Sequence, residues 1–372
     1  MIRPLLSACP PAENATPDDL LRLARTPFTN ALYRLYESAS VADLRAALEL
    51  LWRQIDDPAS ALRAAADETD VTTFSRRRLR EALDQVAAAF TLERARYYLD
   101  RLARAALETR TSAINDIDLN RWKEYDDILT DSLWLFDRRD TSGAHHAGFW
   151  GNFVPQIPYQ LMRRYTRRGD LVIDPFAGSG TTLIEGRRLG RPTIGVELNP
   201  IVAEQARATL ANEPEGRHVL CALEIGDSTA FDWRAALERY GYRSAQLAIL
   251  HPPYHDIIRF SEDPRDLANA PSVDAFLERL GAAVQRVKDV LDAGRYLALV
   301  LGDKYTNGEW IPLGFLGMQE VRRHGFTLKS IVVKNFEQTT GKRSQKELWR
   351  YRALVGGFYV FKHEYIFIFR KA

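Results

Sequence analysis

Two short stretches carry residue types and spacings suited to chemistry. The first is Leu171 to Thr182, LVIDPFAGSGTT. Leu171, Val172 and Ile173 form an apolar run suited to a buried strand, which Asp174 and Pro175 end. Gly178, Ser179 and Gly180 let the backbone turn tightly and approach a ligand closely. Thr181 and Thr182 then open a helix from Leu183 onward, whose first amides point back at the turn. A strand, glycine turn and helix in this order can hold a polar cofactor at a helix N-terminus. The second stretch is Gln246 to Ser261, QLAILHPPYHDIIRFS. Its strand, Leu247 to Leu250, runs into His251-Pro252-Pro253-Tyr254, where two prolines stop the strand and stiffen the backbone on either side.

Several cofactors use such a glycine turn. A dinucleotide fingerprint needs a third glycine where Leu183 stands, and a phosphate-binding loop needs a lysine where Thr181 stands. The string instead resembles the cofactor motif of the S-adenosylmethionine-dependent amino-methyltransferases of DNA, D-P-F-x-G-S-G-T-T. Asp174, Pro175, Phe176, Gly178, Ser179, Gly180, Thr181 and Thr182 match it, with Ala177 at the variable place. A bare βα turn is the alternative. His251-Pro252-Pro253-Tyr254 resembles the catalytic tetrapeptide of the same family, in which Asp, Asn or Ser precedes Pro-Pro-Tyr. There the first residue and a proline carbonyl accept hydrogen bonds from an exocyclic amine, and the aromatic ring stacks on a flipped base. His251 departs from that pattern, although a neutral imidazole can accept one such bond or a water can bridge; a packed strand-end histidine is the alternative.

Other residues fall around these two stretches. Thr193 to Val196 reads as a second strand ending in Glu197, followed by Leu198 and Asn199. An acid at the carboxyl end of the second parallel strand sits where a ribose lies, and its two oxygens can accept from both hydroxyls. A helix-start acid is the plainer reading. The resemblance implies that Asp227 and Ser228 lie beside the adenine, and a plain turn at Gly226-Asp227-Ser228 is the alternative. The resemblance also implies that the segment GNFVPQIP folds over the methionine end of the cofactor through Asn152, Phe153 and Pro155. A proline-broken entry loop into a helix from Tyr159 to Tyr165 is the alternative there.

Composition sets the bounds. The 372 residues are 46% hydrophobic and 27% charged, an ordinary globular balance with enough chain for two domains. A net charge of +2 is too small to argue a nucleic-acid partner, so that argument rests on local clusters. Cys9 and Cys221 stand far apart and in no metal-like spacing, and His145 and His146 read as loop residues. Neither a metal site nor a disulfide is expected. No apolar run approaches spanning length, and no signal-peptide pattern opens the chain, so no membrane and a cytoplasmic location are expected.

The elements that must position the site read as a doubly wound α/β fold. Its mostly parallel sheet is Rossmann-like and carries a C-terminal antiparallel strand pair. Residues 1–120 read as a helical N-terminal region, and residues 121–372 as the catalytic domain. Leu44, Leu48, Leu51 and Ile55 make one apolar helix stripe; Leu79, Leu83, Val86 and Phe90 make a second. Arg76 to Arg80 reads as a solvated helix face in preference to a DNA contact. Tyr296 to Leu301 is a strand, and Ile331 to Lys334 with Tyr365 to Phe369 reads as the antiparallel pair. Between the last two lies a basic-aromatic insertion near residues 338–356. Lys342, Arg343, Lys346, Trp349, Arg350, Tyr351 and Arg352 suit phosphate contact and base stacking, and a solvated loop is the alternative.

The expected function is DNA methylation at an exocyclic amine, cytosine N4 ahead of adenine N6, with S-adenosylmethionine as cofactor and DNA as partner. Neither cysteine stands in the Pro-Cys context that methylation of a ring carbon would need. An RNA guanine-amine methyltransferase and a catalytically silent DNA-binding subunit are the alternatives. A restriction or defence nuclease is a possible cognate partner.

Overall fold

The computed structural model describes residues 19–146, 148, 151–213, 218–335 and 346–372. The chain divides into two compact units, Met1–Ile128 and Leu129–Ala372.

The first unit is built from β1 (Leu20–Ala24), α1 (Arg25–Tyr36), α2 (Val41–Asp56), β2 (Val71–Ser75), α3 (Arg76–Ala87) and α4 (Leu92–Leu107). The two strands pair antiparallel, from Leu20 opposite Ser75 to Ala24 opposite Val71. Among the described residues, the region read as helical holds four α-helices and, in addition, this strand pair. Val71-Thr72-Thr73-Phe74 is β-branched and aromatic, and its alternating burial is that of a half-buried strand. The first apolar stripe holds: Leu44, Leu48, Leu51 and Ile55 are all buried. The second holds only through Val86. Helix α3 stops at Ala87, so the 3.6-residue period no longer aims Phe90 inward, and Phe90 is 94% exposed. Arg76 to Arg80 face acids of the same unit: Arg76 meets Asp56, Arg77 and Arg78 share Asp126, and Arg80 meets Glu49.

The second unit is organised by an eight-stranded sheet. Its elements are β3 (Leu133–Trp134), α5 (Gln156–Tyr165), β4 (Val172–Asp174), α6 (Thr181–Leu189), β5 (Thr193–Glu197), α7 (Pro200–Ala211), β6 (Cys221–Ile225), α8 (Trp233–Arg239), β7 (Ala245–Leu250), α9 (Val273–Val290) and β8 (Leu291–Leu301). Then come a short hairpin of β9 (Lys304–Thr306) and β10 (Glu309–Ile311), α10 (Leu313–Arg323), β11 (Phe326–Asn335), α11 (Lys346–Gly356) and β12 (His363–Lys371). Spatial order is β3-β11-β12-β8-β7-β4-β5-β6. All neighbours run parallel except β12, which is antiparallel to both β8 and β11. The doubly wound, mostly parallel sheet and the C-terminal antiparallel pair are thus present.

Strand order explains where a ligand must go. The chain leaves β4 in one direction to β5 and β6, then returns to lay β7 on the other side of β4. The crevice beyond the carboxyl ends of β4 and β7 is the switch point of the sheet. The strands that create it read as continuous apolar runs because both faces are covered. Ile173, Ile194, Ala248, Leu250, Leu297, Leu299 and Phe367 are fully buried, and α9 packs Phe276, Leu280, Val284 and Val287 against the same core.

Candidate active site

The glycine turn forms as its sequence requires. Gly178 and Gly180 have φ of +50° and +82°, a region that a side chain makes costly. The Phe176 amide donates to Asp174 Oδ1 at 2.9 Å, which closes the turn at the strand end. Gly195 in β5 lets the turn pack down: a Cβ there would come within 2.8 Å of Ala177 and Leu183. Ser228 donates its hydroxyl to the Pro175 carbonyl, tying the end of β6 to the turn. Asp227 accepts through Oδ1 from the Thr229 amide and hydroxyl at 2.9 and 2.8 Å.

Acids surround the turn. Glu197 accepts from the Gly178 amide at 2.9 Å and the Asn199 amide at 2.8 Å. Burial raises its carboxyl pKa, and those amides oppose the rise. Leu198 and Asn199 follow it half-buried, and Asn199 caps α7 by accepting from the Ile201 amide. Asp174 is 1% exposed, and its Oδ2 meets no donor in hydrogen-bonding geometry; the buried Thr182 hydroxyl is likewise unmatched. Burial pushes the Asp174 carboxyl up to about 7, with nearby Glu197 adding to the rise and Thr182 and the Phe176 amide opposing it.

The loop before α5 joins the two motifs. Thr181 donates its hydroxyl to Asn152 Oδ1 at 2.6 Å, on the glycine-turn side. The neighbouring Phe153 ring lies 4.7 Å from the His251 imidazole, with planes 30° apart. Arg139 holds this loop through the Phe153 carbonyl at 2.8 Å. Pro155 is buried at the N-cap of α5, which starts at Gln156, earlier than Tyr159.

His251 to Tyr254 sits at the end of β7. Pro252 is buried and the other three residues are half-buried. The Tyr254 ring lies against Gly302, where an added Cβ would stand 2.8 Å from Tyr254 Cε2. The phenol donates to Glu364 Oε2 at 2.7 Å, and His251 Nε2 lies 3.3 Å from the same phenol oxygen. Lys334 pairs with Glu364 at 3.2 Å, both side chains nearly buried. Burial pushes the imidazole of His251 down to about 4, against the pull of Glu364. The Tyr254 phenol is driven upward by burial first and by Glu364 second.

Sequence reasoning missed Glu364 and Lys334. Their signal was available: they are opposite charges at the ends of two strands read as an antiparallel pair, and the register sets Lys334 directly across from Glu364. Asp303, at the end of β8, was also missed; it accepts from the Gly314 amide at 3.0 Å and Trp310 at 3.1 Å. His145, read as a loop residue, is buried with Nε2 2.6 Å from Glu185 Oε1.

Lys342 and Arg343 fall outside the described residues, as does the side chain of Lys346. Trp349, Arg350 and Arg352 stand on α11, a helix where a loop was the alternative. Arg350 and Arg352 are exposed, and the Arg352 guanidinium lies 5.4 Å from the Trp349 ring centre. Among the described residues no cluster of His, Cys, Asp or Glu is arranged to hold a metal, and no helix is long and apolar enough to cross a membrane.

A sheet in this strand order, with a glycine turn after β4 and an acid after β5, defines a Rossmann-like methyltransferase fold. Residues 76–208 match the family described as DNA methylase. The Type II methyltransferase M.MjaII of Methanocaldococcus jannaschii is 42% identical over 50 residues, 13% of this chain and 9% of that protein. M2.DpnII of Streptococcus pneumoniae is 34% identical over 103 residues, 26% of this chain and 35% of that protein. M.MthZI of Methanothermobacter thermautotrophicus is 33% identical over 90 residues, 24% of each. The chain spans about a third or less of the length of these relatives. Over these stretches the chain is similar to DNA methylases and Type II methyltransferases, and S-adenosylmethionine is the cofactor that fits the fold. The buried Asp174 carboxylate, whose Oδ2 meets no donor in hydrogen-bonding geometry, and the positive φ of Gly178 and Gly180 fit a polar, cationic cofactor of that kind.

Proposed function

We propose that the protein transfers a methyl group to the exocyclic amine of a base in DNA, cytosine N4 ahead of adenine N6. The observation that carries this reading is the loop Asn152-Phe153. It touches the glycine turn through Thr181 and the His-Pro-Pro-Tyr segment through His251, so two motifs far apart in sequence border one crevice. When bound, S-adenosylmethionine supplies a methyl on a sulfonium, a good leaving group.

The protein's own work is then orientation. Asp174, Glu197 and the amides of the turn would hold the cofactor, with Asp227 and Ser228 on the side the resemblance gives to the adenine and Asn152, Phe153 and Pro155 on the side it gives to the methionine. An exocyclic amine delocalises its lone pair into the ring and is a poor nucleophile. Hydrogen bonds accepted from its protons by His251 and a Pro252 or Pro253 carbonyl localise that pair. On taking up the methyl that the bound cofactor would supply, the amine would release one of its own protons to water, which leaves the product nitrogen neutral. Tyr254 offers a ring face to a base taken out of the duplex. DNA binding draws on Arg350, Arg352, Trp349, Lys342, Arg343 and Lys346, phosphate contacts beside an aromatic ring.

The test is incubation with S-adenosylmethionine and mixed genomic DNA, followed by digestion to nucleosides and identification by mass and retention. N4-methylcytosine is expected. N6-methyladenine would reverse the order of bases, and no methylated nucleoside despite measured cofactor binding would overturn the reading.

A further inference from the structure

The side chains behind His251 form a directed chain of hydrogen bonds. Lys334 and Glu364 stand cross-strand on β11 and β12, 3.2 Å apart and almost buried. Facing a lysine ammonium, Glu364 is an ionised carboxylate and can only accept. The Tyr254 hydroxyl, 2.7 Å away, must therefore spend its single proton on Glu364. What the phenol oxygen then turns toward His251 is a lone pair. His251 Nε2 lies 3.3 Å from that oxygen, so it must be the protonated nitrogen of the ring. A neutral imidazole carries one ring proton, which leaves Nδ1 with a free lone pair. Nδ1 has no hydrogen-bond partner among the described residues.

We infer that Lys334 and Glu364 are positioning residues that act through Tyr254 to fix His251 in the Nε2–H form, so that Nδ1 is the acceptor for the target amine. This rests on the proposed function, and it explains how histidine serves where a side-chain oxygen is usual. An oxygen accepts in any state, whereas an imidazole accepts at Nδ1 only in this tautomer. The depressed His251 pKa keeps the ring neutral and so compatible with the role.

The chain can be reversed without changing its shape. In Glu364→Gln, Lys334 donates to the new amide oxygen, so the amide nitrogen faces Tyr254 and donates to it. The phenol proton then swings to His251 Nε2, and the ring proton moves to Nδ1, which removes the acceptor. Tyr254→Phe removes the link and keeps the ring, leaving His251 free to hold both tautomers.

The experiment uses the full chain labelled with 15N-histidine, with the His251 signals assigned by their loss in His251→Gln. The nitrogen shifts report which ring nitrogen is protonated in the parent, Glu364→Gln and Tyr254→Phe. Nε2–H is expected in the parent, Nδ1–H in Glu364→Gln and a mixture in Tyr254→Phe. Methyl transfer by Glu364→Gln should fall about 10- to 100-fold in kcat, the usual cost of losing an orienting partner, with KM for the cofactor little changed. Adding Tyr254→Phe to Glu364→Gln should raise kcat above that of Glu364→Gln alone, a coupling that a merely structural role does not give. An Nδ1–H ring in the parent, or losses that simply add in the double variant, would overturn the inference. The expected tautomers together with a complete absence of methylated DNA would instead count against the proposed function and leave the hydrogen-bond chain standing.

Discussion

Asp174→Asn is the most informative single perturbation, because it separates what the glycine turn costs from what it does. The Asp174 carboxyl is raised from an ordinary 3.8 to about 7, chiefly by burial at the end of β4. A group whose folded pKa is raised supports the fold fully at low pH, where both states hold the proton. That support is lost as pH rises from 3.8 through about 7, because the unfolded chain releases the proton first. The difference corresponds to about 4 kcal/mol by pH 8. Asparagine keeps the oxygen that accepts from Phe176 and cannot ionise. Urea unfolding of parent and variant should therefore coincide within about 1 kcal/mol at pH 4, diverge between pH 4 and 7 and level off above that, with Asp174→Asn more stable by about 2–4 kcal/mol at pH 8. Comparing the two chains at each pH cancels the contributions of acids that are not coupled to Asp174. S-adenosylmethionine binding, read by calorimetry at pH 8, should weaken in the same variant, since the stored cost is released by a cationic ligand. A stability gap that is constant with pH, or a variant less stable at pH 8, would refute the reasoning.

Other outcomes follow from single contacts. Asn152→Ala removes the acceptor for Thr181 at 2.6 Å and should weaken cofactor binding about 5- to 10-fold, near 1 kcal/mol, with little change in Tm. Gly180→Ala should cost about 1–2 kcal/mol in urea unfolding through backbone strain, because φ is +82° while the nearest side-chain atom to a new Cβ is 3.6 Å away. Phe90→Ser should change stability by no more than about 0.5 kcal/mol, whereas Phe28→Ala, at a fully buried ring in the same unit, should cost about 3–5 kcal/mol or leave that unit unfolded by circular dichroism.

The sequence by itself determined the parts of this protein that depend on local physics. Apolar runs ended by Asp174, Glu197 and His251 announced the parallel strands, because strands buried on both faces need no alternation. Glycine spacing announced the turn, since φ is positive at Gly178 and Gly180. The lone strand Val71–Ser75 and the hairpin around Asn307-Gly308 were legible in principle and went unread: the first lay among helical stretches, and the second spans only three residues on each side. What only tertiary structure decided is which distant residues meet. The register of β11 against β12 sets Lys334 across from Glu364, and strand order then brings that pair under Tyr254, 110 residues from Glu364 in sequence. The Asn152-Phe153 loop reaches both motifs for the same reason: β4 and β7 are neighbours in the sheet although α6, β5, α7, β6 and α8 separate them in the chain. Periodicity reports only which face of its own element a residue occupies. The partner across a crevice, and with it the protonation of Asp174 and the tautomer of His251, is set by packing that no local pattern encodes.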